Sequence, residues 1–300
     1  KIIDASSKFN GKTKDIFINQ GIIQEIADCI EKKSVKEINL NNLHVSQGWL
    51  DTSVSFGEPG LEERETIENG SLTACLSGFT DIILNSNTLP VIDSKADVIY
   101  VQSKNKNNAL KIHPLGALTL KSEGLEMAEL REMFDSGAVG FYDYKMSVKN
   151  PNLLKTALQY VQHFDGLIMT FPFEKSICED GQMNEGEIST LYGLKGIPSL
   201  SEEIILERDL KILEYTGGKL FIPTISTSKS VELIKSAKQK GLQIITSVSI
   251  NNLFFNEKKL KNFDTRFKVL PPIRSEKDRL ILVKALTDGC LLYTSPSPRD

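Results

Sequence analysis

The stretch Leu50-Asp51-Thr52-Ser53-Val54-Ser55-Phe56-Gly57-Glu58-Pro59-Gly60 decides how the fold is read. Apolar and polar residues alternate from Leu50 to Ser55, and Pro59-Gly60 then breaks the run. An extended chain with a period of two sends Asp51, Ser53 and Ser55 to one face. Three inward polar side chains at the C-terminal end of a strand are what a (β/α)-barrel site is built from.

Working outward, strands and helices alternate from Trp49 on, as a parallel barrel requires. A helix over Thr66–Ser77 stops at Gly78. Strands are predicted at Gly78–Leu84, Asp97–Val101, Ala138–Asp143, Leu167–Phe171, Lys219–Thr224 and Leu242–Val248. Met127, Leu130 and Phe134 mark a helix ending at Gly137. Leu153, Leu154, Ala157, Leu158 and Val161 make the apolar stripe of another. A helix over Glu202–Tyr215 closes at Gly217-Gly218. The Ser226-Thr227-Ser228 run suits the N-cap of a helix carrying Val231, Ile234 and Ala237. Before the barrel, residues 1–48 read as a small β module, with a hairpin of Asp15–Ile18 and Ile22–Ile26 around Asn19-Gln20-Gly21. Leu43-His44-Val45 is a further short strand.

Several stretches carry a family resemblance. Asp51, Phe56, Glu58, Pro59 and Gly60 fit the signature D-x-H-x-H-[FL]-R-E-P-G, with Ser53 and Ser55 at its histidines and Gly57 at its arginine. Asn85–Pro90 is similar to M-P-N-T-x-P, with Asn87 on the asparagine. Pro114–Thr119 is close to P-[IL]-G-A-[IL]-T. Met183–Pro198 follows N-E-G-x-x-S-x-x-L-G-L-x-G-[IL]-P, and Lys268–Arg274 follows K-[VM]-N-P-P-[IL]-R. Together these resemble the dihydroorotases of the amidohydrolase superfamily, in their bacterial branch. The resemblance spans about residues 10–289. It implies an α/β fold: a (β/α)8 TIM-type barrel over 49–289 beside a small N-terminal β-sandwich module, partial over 1–48. The segment 290–300 has no family resemblance. It reads as a non-native tail standing where the eighth strand belongs, so that strand is expected to be missing.

The resemblance also implies a metal site, and its histidines are replaced throughout. Ser53, Ser55, Pro172, Phe221, Thr224, Asn251 and Asn252 stand at the lost positions. A catalytic zinc takes about three protein ligands of His, Cys or carboxylate type. Neutral serine and asparagine are poor zinc ligands, and phenylalanine and proline side chains offer none. No metal or other cofactor is therefore expected, although active homologues are expected to hold zinc. The family's acid-rich turn leaves one carboxylate, Asp143, read either as hydrogen-bonded structure or as a ligand. Asn87 reads either as a substrate contact or as the cap of a turn. Ser53, Ser55, Asn87 and Asp143 are the remnants of a substrate pocket. Gly57 cannot supply the two-pronged grip that a guanidinium gives a carboxylate.

The expectation is a non-catalytic dihydroorotase-like protein of pyrimidine biosynthesis. By analogy it assembles into an oligomer with aspartate carbamoyltransferase. Two alternatives stay open: an active cyclic amidohydrolase using another site, and a sensor of pyrimidine intermediates. His44, His113 and His163 are read as structural or surface residues. The net charge of −3 gives no electrostatic reason to expect nucleic acid or membrane surfaces. No apolar run approaches the roughly 20 residues of a spanning helix. Cys29, Cys75, Cys178 and Cys290 form no C-x-x-C pair and read as reduced, mostly buried thiols of a cytoplasmic protein. No nucleophile elbow, phosphate loop or H-E-x-x-H occurs.

Overall fold

A computed structural model describes residues 1–32, 36–105 and 109–294. The chain divides into two compact units, Lys1–Trp49 and the remainder from Leu50.

The first unit holds β1 (Ile2–Ile3), β2 (Asp15–Asn19), β3 (Ile22–Ala27) and β4 (Val45–Ser46). β2 and β3 form the expected antiparallel hairpin, and Asn19 faces Ile22 across a two-residue loop. Gln20 and Gly21 both take positive φ, 51° and 75°, the twist a tight hairpin needs. β1 and β4 pair in parallel.

The second unit opens with β5 (Trp49–Val54), which crosses the boundary, then α1 (Ile67–Leu76), β6 (Phe79–Leu84), α2 (Lys95–Lys104), β7 (Lys111–Pro114), α3 (Leu130–Asp135) and α4 (Pro151–Val161). Next come β8 (Ile168–Met169), α5 (Lys175–Cys178), β9 (Met183–Asn184), α6 (Glu187–Tyr192), β10 (Gly196–Ile197), α7 (Leu200–Thr216) and β11 (Lys219–Ile222). The series ends with α8 (Ser228–Gln239), β12 (Gln243–Ser249), α9 (Ile250–Phe254), α10 (Glu276–Thr287) and β13 (Leu292–Thr294). One sheet runs β5-β6-β7 and another β8-β11-β12-β13. Phe141 bridges them, pairing in parallel with Gly116 on one side and Ile168 on the other. Eight strand positions thus follow one another around the barrel, the fourth reduced to a single bridging residue.

Alternation sorts the side chains. Leu220 and Ile222 on β11 face the helices and join the main core with Leu206, Leu213, Val231 and Ile234. Phe221, between them, faces the opposite way into a second cluster with Leu115, Tyr142, Met169 and Phe171. Caps fix the helix starts: Thr227 accepts from Ser230 N–H, within the run that the sequence predicts as a cap, and Thr66 accepts from Asn69 N–H.

Three expectations are corrected. Asp97–Val101 is not a strand but lies within α2, started by a capping box in which Ser94 and Asp97 serve each other. Val98 and Val101, three apart, bury one face. A short β-branched run does not by itself distinguish strand from helix, and here the cap decides. The third strand is Lys111–Pro114 instead. Second, the eighth strand is not wholly missing, because Leu292–Thr294 pairs in parallel with Ser247–Ser249 and Leu291 is buried in the core. Backbone groups on the free edge of β12 pair with any extended neighbour, whatever its side chains. The expected foreign tail lies outside the described residues from 295 on. Third, Cys178 alone among the cysteines is buried; Cys75 and Cys290 are half-buried and Cys29 is exposed. Burial pushes the Cys178 thiol up. No helix among the described residues is long and apolar enough to cross a membrane.

Candidate functional site

The signature strand positions the first group. Asp51 and Ser55 are buried and Ser53 half-buried, and Asp51 Oδ1 accepts from Ser53 N–H at 3.1 Å. Just beyond β6, Asn85 is fully buried and donates through Nδ2 to Ser53 Oγ at 3.2 Å and to Ser55 Oγ at 3.1 Å. The two serines at the histidine positions are therefore clasped by one amide, which ties the first strand to the second. Asn85 Oδ1 has no hydrogen-bond partner among the described residues. The sequence reading passed over Asn85 in favour of Asn87. Its signal was the period of two: Asp81, Ile83 and Asn85 are in step with Ser53 and Ser55.

Asn87 does not cap its turn with its side chain. Ser86 O accepts from Thr88 N–H and Ile92 N–H, while Asn87 Oδ1 is buried without a partner among the described residues. Asp143 is buried and its oxygens are occupied. Oδ1 accepts from Leu118 N–H at 2.9 Å and Thr119 N–H at 3.0 Å, and Oδ2 accepts from Thr119 Oγ1 at 2.5 Å. Burial pushes its carboxyl up, against these hydrogen bonds. It fastens the 118–119 loop.

The other positions at which the resembled motifs carry histidines hold apolar groups in the core or polar groups in hydrogen bonds. Phe221 lies opposite Met169 in the β8–β11 register. With Leu115, Tyr142 and Phe171 they form an apolar plug inside the barrel, bordered by Phe173 and Tyr144. The Phe171–Phe173 and Tyr142–Tyr144 rings are each 5.8 Å apart. Pro172 is buried and Thr224 half-buried. Asn251 is the second residue of α9, its N–H donating to Ser249 Oγ, the cap of that helix, at 3.3 Å. Asn252 is buried and donates to Pro272 O at 2.9 Å. Among the described residues no three His, Cys, Asp or Glu side chains converge to hold a metal ion. His44 and His163 are exposed, and His113 Nε2 pairs with Asp81 at 2.8 Å. Hydroxyls, neutral amides and phenyl rings do not fit zinc.

At the arginine position, a Cβ on Gly57 would fall 1.8 Å from the Leu61 carbonyl oxygen. The 57–65 loop closes on itself there, with Leu61 N–H donating to Gly57 O and Gly57 N–H to Glu65 O. Restoring an arginine requires a different loop, not one substitution. The neighbouring Glu58 is buried and structural. It accepts from Ile67 N–H at the start of α1, from the Tyr100 hydroxyl and from Lys104. Burial alone would raise its carboxyl; the Lys104, Tyr100 and Ile67 hydrogen bonds outweigh that and hold it below its ordinary value. A depressed carboxyl stabilises the fold above its unfolded pKa of 4.5 and ceases to as pH falls through the folded value. Glu58→Gln is expected to cost about 1–2 kcal/mol at neutral pH. In urea melts that difference should shrink below pH 4.5.

The kinship motifs meet in a buried polar network that sequence reading did not assign. Arg274, from the K-V-L-P-P-I-R segment, is 2% exposed. It donates to Ser226 Oγ at 3.0 Å, Asn184 Oδ1 at 2.9 Å and Ile197 O at 2.6 Å. Glu202, also 2% exposed, accepts from Ser226 N–H, Ser226 Oγ, Thr227 N–H and Ser230 Oγ. Asn184 Nδ2 in turn donates to Glu257. One guanidinium and one carboxylate thus bind the β9–α6–β10 lobe to the sixth strand's end and to α8.

A family model described as dihydro-orotase-like matches residues 44–230. A dihydroorotase of Acetivibrio thermocellus is 36% identical over 97% of this chain and 68% of its own length. One of Pelotomaculum thermopropionicum is 34% identical over 93% of this chain and 65% of its own length. Among solved structures, a D-hydantoinase superposes with a TM-score of 0.77 at 20% identity, over 98% of this chain and 66% of that one. The L-hydantoinase of Arthrobacter aurescens superposes at 0.75 and 19%, over 94% and 65%. The chain spans about two thirds of the length of these relatives. It belongs to the dihydroorotase-like family, on an amidohydrolase TIM-barrel fold that it shares with the hydantoinases.

Proposed function

We propose that this protein serves pyrimidine biosynthesis in the cytoplasm as a dihydroorotase-like scaffold, without metal-dependent turnover, in an oligomer with aspartate carbamoyltransferase. The observation that carries the reading is the replacement of ligand positions by groups with other work. Asn85 clasps Ser53 and Ser55, and Phe221 fills an apolar plug. Hydrolysis of a cyclic amide at neutral pH needs an activated water and a carboxylate free to move its proton. The oxygens of Asp143 are committed to the 118–119 loop instead. The frame around the site persists, and a surface is what such a frame can still offer. Gel filtration of the full-length protein with the same organism's aspartate carbamoyltransferase tests this. Co-elution, with no turnover of dihydroorotate, is expected. A monomer that never binds the carbamoyltransferase, or chelator-sensitive turnover, would overturn it.

A second reading, a sensor of pyrimidine intermediates, draws on Asn85 Oδ1 and Asn87 Oδ1, two buried acceptors without a hydrogen-bond partner among the described residues. A rise in melting temperature with dihydroorotate or carbamoyl aspartate supports it, and no rise removes it.

A further inference from the structure

The segment from Phe254, the last residue of α9, to Lys268 contributes only Glu257 to the buried network described above. Its sequence is Phe-Phe-Asn-Glu-Lys-Lys-Leu-Lys-Asn-Phe-Asp-Thr-Arg-Phe-Lys, with five basic residues against two acidic ones in a chain of net charge −3. Two of its four rings are displayed, Phe254 at 74% and Phe263 at 60% exposed, while Phe255 and Phe267 are half-buried. Phe254 stands edge-on to Phe255, and Phe255 to Phe267, each with centroids 5.0 Å apart. Phe263 meets Tyr192 of α6 at 5.8 Å, beside the exposed Leu191.

The charges are sorted as well. Glu257 is turned inward to Asn184. Asp264 is held by Arg266, and the neighbouring Glu276 by Arg279 and Asn256. Lys258, Lys259, Lys261 and Lys268 are exposed and have no carboxylate in ion-pair range among the described residues. Lys259 lies over the Phe255 ring, 5.5 Å from its centroid. Exposed rings and lysines without an ion-pair partner among the described residues thus share one short segment, and Lys259 and Phe255 are in direct contact. Aromatic anchors supply most of an interface's energy, and unpaired charges around them steer a partner of opposite sign.

Resting on the scaffold reading above, we infer that this face is the docking surface for the partner protein, and that the partner offers carboxylates around an apolar spot. The probe is the same organism's aspartate carbamoyltransferase, titrated against the full-length protein by calorimetry. Two variants are compared with wild type: Lys258→Glu/Lys259→Glu/Lys261→Glu and Phe254→Ala/Phe263→Ala. All five side chains are exposed, so far-UV spectra and melting temperatures should match wild type. Wild-type affinity is expected to fall as salt rises from about 50 to about 300 mM. Each variant should bind at least tenfold more weakly, and the charge reversal should lose the salt dependence. Wild-type affinity in both variants overturns this surface and leaves the scaffold reading standing. No binding by wild type overturns both. A self-association of this chain that the variants abolish, with carbamoyltransferase binding intact, assigns the face to a second copy and overturns the inference.

Discussion

Arg274→Ala is expected to be the most damaging single change in the barrel, at about 3–5 kcal/mol. The loss does not lie in one weak ion pair. Arg274 and Glu202 are both 2% exposed and share Ser226, whose hydroxyl donates to Glu202 and accepts from Arg274. Removing the guanidinium leaves the Glu202 carboxylate buried without its counter-charge. It also strands Asn184 Oδ1, a buried acceptor then without a donor, and leaves the Ile197 carbonyl with only the Glu185 N–H. For a unit of this size the melting temperature should fall by about 2–4 °C per kcal/mol, or about 6–20 °C. Arg274→Met combined with Glu202→Gln should cost clearly less than the sum of the single changes, since the second removes the charge the first exposed. Additivity of the two would show that the groups do not communicate through Ser226.

Phe221→Ala should come close to it, at about 3–5 kcal/mol. The ring is 3% exposed and packs with Leu115, Tyr142, Met169 and Phe171. These neighbours come from three separate stretches of the chain and cannot all close a phenyl-sized void. A melting temperature lowered by about 6–20 °C is the expected reading. Phe221→His should also destabilise, because an imidazole placed in this plug finds no charged or paired partner there. If position 221 were instead a ligand site in waiting, histidine would be tolerated and would gain metal.

The sequence made the barrel legible where local chemistry and global fold agree. The Ser226–Ser228 run announces its helix as a cap, Gly78 announces the end of α1, and the Asn19–Gly21 turn announces its hairpin. It misled at Asp97–Val101, where β-branched residues imitate a strand but a capping box ten residues after the barrel turn starts a helix. That Ser53, Ser55 and Phe221 stand where the resembled motifs carry histidines could be read one position at a time. What replaced them could not. Asn85 clasping two serines thirty residues away, and Arg274 reaching Asn184 ninety residues back, are products of tertiary approach with no local pattern. Motifs such as Met183–Pro198 and Lys268–Arg274 announced kinship; only the fold shows that they are halves of one buried network.

The central claim is that this barrel interior has exchanged metal-ligand chemistry for an amide clasp and an aromatic plug. Zinc content by elemental mass spectrometry, on full-length protein equilibrated with excess zinc and then desalted, tests it most directly. Wild type, and the variant Ser53→His/Ser55→His, are both predicted to retain less than about a tenth of an equivalent per chain, because two ligands fall short of the three or so that a zinc site requires. One or two tightly held equivalents in the wild type, removed by chelator, would contradict the account.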